Sequence, residues 1–84
     1  MTKEEIADAL KDLVKLAMKT PEDVKVRVDE HPDKSLTFTV KVRDKDRGLF
    51  IGKAGKTIGA YQVVFYGITK KQLNVPSNIN LTDN

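Results

Sequence analysis

Phe50-Ile51-Gly52-Lys53-Ala54-Gly55-Lys56-Thr57-Ile58 is the stretch on which the fold turns. Two glycines three residues apart remove the Cβ atoms that would hold a ligand backbone at a distance. Lys56 onward is able to start a helix, and the first amides of a helix lack intrahelical partners and sit at the positive end of its dipole. Such a terminus attracts phosphate. Lys53 and Lys56 add mobile positive charge, with Arg47 expected nearby. Amides of Ala54 through Lys56 are expected to face the anion, while Ile51 and Ile58 anchor the flanking helices to the core.

On the N-terminal side, Asp44 or Asp46 is placed to cap a short helix ending at Ile51. Before it, Leu36, Phe38, Val40 and Val42 alternate with Thr37, Thr39, Lys41 and Arg43, the period of a half-buried strand. Val24, Val26 and Val28 alternate in the same way, and His31-Pro32-Asp33-Lys34 supplies turn chemistry, so a hairpin is expected. Further back, Thr2 and Glu5 have the spacing of a capping box. Ile6, Ala9, Leu10, Leu13, Leu16 and Ala17 then recur at helical spacing over residues 3–19, and Thr20-Pro21 stops the helix.

Downstream, residues 58–69 are ambiguous. Val63, Val64, Phe65, Tyr66 and Ile68 favour a strand, and Gly59 and Gly67 each cost a helix about 1 kcal/mol relative to alanine. Ile58, Tyr61, Phe65 and Ile68 nevertheless share one helical face. After Pro76, Ile79 and Leu81 alternate with Asn80 and Thr82, enough for a last short strand. The order is α-β-β-α-α-β, an α+β fold with helices packed on one face of a three-stranded sheet.

With this order on both sides, the loop resembles the I-G-x-x-G-x-x-I signature of KH domains in their type II arrangement. Length and layout are most similar to the small stand-alone bacterial KH proteins of the KhpA family, over about residues 8–83. The resemblance implies one KH domain spanning residues 1–84, with residues 1–7 leading into the first helix and 83–84 as a tail. It also implies single-stranded RNA as ligand, clamped over about four nucleotides. The residues of that site are Arg47, Ile51, Gly52, Lys53, Ala54, Gly55, Lys56 and Ile58. An RNA chaperone or post-transcriptional regulator is the implied role, and a ribosome-assembly factor shares the chemistry. The resemblance further implies self-association or pairing with a larger KH-domain protein. The helix after the loop has apolar surface to spare, and Gly59, Val63, Tyr66 and Gly67 form its second face, an expected dimer interface. If that face were the working surface, the chain would be a protein-interaction module with a vestigial loop. No aromatic ring is evident on the groove side for base stacking.

Charge supports a polyanionic partner. Residues 1–40 carry seven basic and nine acidic side chains, whereas residues 41–71 carry eight basic and two acidic. Gly55-Lys56-Thr57 imitates the end of a P-loop, but that motif needs a glycine at position 50, which is Phe. His31 reads as an exposed turn residue, and Glu4, Glu5, Asp8 and Asp12 as a solvated helix face. No nucleophile–base constellation is present, so no catalytic residue, metal or cofactor is expected. No apolar run reaches the roughly 18 residues of a membrane span. The acidic, amphipathic start is unlike a secretory leader. With no cysteine in the chain, a cytoplasmic location is expected.

Overall fold

The computed structural model describes residues 1–82 and contains the expected six principal elements. The tail assigned to 83–84 lies outside the described residues. In chain order the elements are α1 (Lys3–Ala17), β1 (Lys25–Glu30), β2 (Leu36–Lys41), α2 (Asp44–Ile51), α3 (Lys56–Leu73) and β3 (Ser77–Leu81), with 3₁₀ turns at Pro21–Asp23 and Lys53–Gly55. Sheet order is β1-β2-β3, antiparallel between β1 and β2 and parallel between β2 and β3. This is the α+β, type II KH arrangement.

Helix α1 starts with the expected capping box. The Glu5 amide donates to Thr2 Oγ1 (3.1 Å) and the Thr2 amide donates to Glu5 Oε1 (2.9 Å). The helix stops at Ala17, two residues short of the expected end. Met18 is extended because its side chain belongs to the core, and Thr20 is buried against α2.

Register decides which side of the sheet is covered. Val28, Phe38 and Ile79 are aligned across the three strands, as are Val26, Val40 and Leu81, and all face the helices. Helix α1 lies over β1 and α3 over β3, with α2 against α3. Phe38 on the central strand is fully buried and meets Phe65 of α3 edge-on, with ring centroids 6.5 Å apart. That packing resolves the ambiguity of residues 58–69 in favour of helix. The face containing Ile58, Tyr61, Phe65 and Ile68 buries more than Gly59 and Gly67 cost. Helix α3 continues to Leu73, where Asn74 caps it in the left-handed conformation.

Neither expected aspartate caps α2 by its side chain, since Arg43 holds the N-cap position without a side-chain bond. Asp46 instead turns inward. Its fully buried carboxylate accepts from the Thr20 amide (2.9 Å) and hydroxyl (2.5 Å), tying the exit of α1 to the first turn of α2. The Thr20 hydroxyl bond lowers the Asp46 pKa from the ordinary carboxylate value, and desolvation opposes it only in part. A lowered folded-state pKa means stabilisation that is complete above the unfolded value, about 3.9, and lost as pH falls through the folded one. Asp46→Asn is therefore expected to lower the melting temperature at neutral pH. Circular dichroism melts should show the gap to the wild type closing in acid; a gap that stays constant would mean the carboxylate charge contributes nothing.

Candidate nucleic-acid interface

The two loop glycines are required for different reasons. Gly52 closes α2, its amide donating to the Gly48 carbonyl (2.9 Å), with φ +76° and ψ 173°. That is a backbone region almost confined to glycine. A Cβ there would lie 2.1 Å from Thr57 Oγ1 and 2.8 Å from the Thr57 amide nitrogen, so the start of α3 packs directly on the bare α-carbon. Gly55 has open space around it and is needed only for its left-handed φ of +76°. Ala54, between them, is also left-handed at φ 55° and ψ 29°. For an L-residue this costs roughly 1–2 kcal/mol.

The amides are not disposed as expected. The Gly55 amide donates to the Gly52 carbonyl (3.1 Å) and the Lys56 amide to the Lys53 carbonyl, so two of the three are consumed by the 3₁₀ turn. What the loop displays is charge. Lys53 and Lys56 are exposed, and among the described residues neither makes an ion pair.

The flanking apolar residues also exchange roles. Ile51 is 37% exposed, and Leu49 beside it is exposed as well. The anchor of α2 is Phe50, fully buried and stacked on Tyr61 of α3 at 5.3 Å. Burial raises the Tyr61 phenol pKa. Ile58 does pack against the core as expected. Arg47 is drawn away from the loop, its guanidinium donating to the Thr82 carbonyl beyond the end of β3. The structure thus gathers Ile51, Gly52, Lys53, Ala54, Gly55, Lys56 and Ile58 at one end of the helical layer and commits Arg47 to another contact. Phe50 was legible only as one more apolar residue, because the run Leu49-Phe50-Ile51 gives no sign of which side chain turns inward.

The second face of α3 is open. Val63 is 74% exposed and Tyr66 47%, with Gly67 and Val64 exposed beside them and Gly59 half-buried. Gln62, Val63 and Tyr66 border a groove of about 290 Å³ that runs to Ser77 on β3. Tyr66 thus presents an aromatic ring on this open face. His31 is exposed, and its Nε2 lies 2.7 Å from the Thr37 hydroxyl. Among the described residues, no group of His, Asp and Glu side chains is placed to hold a metal, and no helix is long and apolar enough to cross a membrane.

Solved structures with this arrangement include Era of Aquifex aeolicus bound to GDP and AlF4⁻. Its identity to this chain is 14% and its TM-score 0.68, over 92% of this chain and 29% of that one. Era in complex with MgGDPNP and nucleotides 1506–1542 of 16S ribosomal RNA is similar at 14% identity and TM-score 0.68, over 90% of this chain and 28% of that one. The chain thus spans less than a third of either. No curated protein sequence matches it. The family profile of the KhpA/KhpB KH domain matches residues 7–79, nearly the whole of the loop-bearing fold, and the chain belongs to that family.

Proposed function

We propose that this chain binds single-stranded RNA through the loop Gly52–Gly55, without catalysis, as a single domain acting in the cytoplasm as an RNA chaperone or post-transcriptional regulator. The observation that carries the reading is the display of Lys53 and Lys56, exposed and, among the described residues, without ion pairs, on a turn whose shape depends on two glycines. Family membership supports it, and in one of the similar structures Era is bound to ribosomal RNA. Leu49 and Ile51 offer apolar contact to bases beside the loop, and phosphate attraction supplies most of the affinity. The test is fluorescence anisotropy of a labelled single-stranded RNA with the wild type and with Lys53→Asp, Ala54→Asp. Equal binding by both would move the function to the apolar face of α3.

That face supports a further part of the reading, a homodimer or a complex with a larger KH-domain protein through Gly59, Val63, Tyr66 and Gly67. Exposed valine and tyrosine side chains among small residues suit close helix–helix contact. Val63→Glu is expected to shift the sedimenting species from dimer to monomer while leaving the circular dichroism spectrum unchanged. A folded variant that keeps the wild-type mass would exclude Val63 from the contact.

A further inference from the structure

Among the described residues nothing covers the face of the sheet turned away from the helices, and the side chains on it are polar or charged. Register places Lys25 directly opposite Lys41 and Arg27 opposite Thr39. The remaining positions on that side of β2 and β3 are Thr37, Asn78 and Asn80. No apolar side chain points from these strands to that face. Lys25, Val26, Arg27, Thr39, Lys41 and Thr82 border a shallow hollow of about 460 Å³ at one end of it.

Like charges directly opposite one another destabilise a strand pair. Among the described residues no carboxylate is ion-paired with Lys25 or Lys41, and the acid on this face, Asp29, is engaged by Arg27 Nε at 3.1 Å. The other end of the face is internally satisfied. Thr37 donates to Asn78 Oδ1 (2.8 Å), so its oxygen accepts from His31 Nε2. Among the described residues, the charge on this face without an ion pair is thus that of Lys25 and Lys41, with the exposed Arg27–Asp29 pair beside them. A flat, basic, hydroxyl-bearing surface without apolar anchors suits neither a protein interface core nor base stacking. It suits the regularly spaced charges of a phosphodiester backbone, which such groups bind without reading sequence.

We infer that the Lys25–Arg27–Lys41 end of the open sheet face is a second RNA-backbone surface, engaging a different segment of RNA from the one held at the loop. The inference rests on the RNA-binding reading above. The loop joins α2 and α3 in the helical layer, so the two surfaces lie on opposite sides of the sheet in a chain only 21 Å across its thinnest direction. One monomer then holds two RNA segments close together, the arrangement needed to promote annealing or compaction.

The experiment compares four proteins: wild type, Lys25→Gln/Arg27→Gln/Lys41→Gln, Lys53→Asp/Ala54→Asp, and the combined variant. Each is titrated by anisotropy against a short RNA that fills only the loop, about four to six nucleotides, and a much longer one, over a range of salt. The glutamine variant should melt close to the wild type, because relief of the Lys25–Lys41 repulsion offsets the exposed Arg27–Asp29 pair that it also removes. It should bind the short RNA within about twofold of wild type. On the long RNA its log–log salt slope should fall by about 2, three phosphate contacts at about 0.7 each, with affinity down about tenfold. The loop variant should keep weak, salt-sensitive binding to the long RNA that the combined variant lacks. Unchanged long-RNA binding by the glutamine variant would overturn the second surface while leaving the loop reading intact. So would an equal loss on short and long RNA, since that reports only the overall field of the protein. A wild type that binds neither RNA would remove both readings. Anionic phosphatidylglycerol vesicles serve as a separate probe, and a glutamine-sensitive response to vesicles but not to long RNA would assign the face to lipid instead.

Discussion

Gly52→Ala is expected to destabilise the domain by about 3 kcal/mol or more, against about 1 kcal/mol for Gly55→Ala. The backbone at Gly52 sits in a region where non-glycine residues are strained by roughly 1–3 kcal/mol. Contact adds to this, because the new methyl would overlap Thr57 Oγ1 at 2.1 Å and crowd the Thr57 amide nitrogen at 2.8 Å. The side chain could rotate away, but the amide nitrogen belongs to the first turn of α3 and yields only if that helix shifts. Gly55 meets no neighbour and bears only the left-handed penalty. In a chain of 84 residues each 1 kcal/mol moves the melting temperature by roughly 4–8 °C. Gly52→Ala should therefore melt at least about 12 °C lower, and Gly55→Ala about 4–8 °C lower. Adding Thr57→Ala to Gly52→Ala should recover part of the loss, the part due to the hydroxyl. Equal melting temperatures for the two single variants would show that α3 is not held against Gly52.

Lys53→Asp, Ala54→Asp is expected to weaken single-stranded RNA binding about a hundredfold, or about 2.7 kcal/mol, while leaving the fold intact. The substitutions move three units of charge at the loop, turning an attractive site into one that repels phosphate. Both side chains are exposed, and among the described residues they make no hydrogen bond or ion pair that would be lost. Ala54 is left-handed, a conformation that aspartate tolerates better than alanine, so the melting temperature should stay level or rise slightly. Each lost phosphate contact should also flatten the salt dependence by about 0.7 in the log–log slope. If affinity is lost and the melting temperature falls with it, the variant reports unfolding. Affinity lost at a constant melting temperature identifies the loop as the RNA site.

The two glycine arguments also separate what was local from what was not. A left-handed turn at Gly55 needs nothing beyond its neighbours, whereas the steric demand at Gly52 depends on where Thr57 is brought. The same division runs through the chain. The capping box at Thr2 and Glu5 and the alternating valines of the hairpin depend on contacts a few residues apart, and both were legible. Lys53 and Lys56 were legible as loop charges because no acidic residue lies near them in the sequence.

By itself the sequence determined the capped first helix, the hairpin and the glycine-shaped loop, since short-range sterics, capping and period-two burial decide those features. Only the tertiary structure decided that residues 58–69 are helix, because the packing of Phe65 on Phe38 and Tyr61 on Phe50 outweighs the local preference of valine, tyrosine and glycine. It likewise turned Phe50 inward in place of Ile51, drew Arg47 to Thr82 and Asp46 to Thr20, and set Lys25 opposite Lys41. Those outcomes join residues from 11 to 35 positions apart, and their energies come from burial, charge and hydrogen bonds that exist only once the layers have closed.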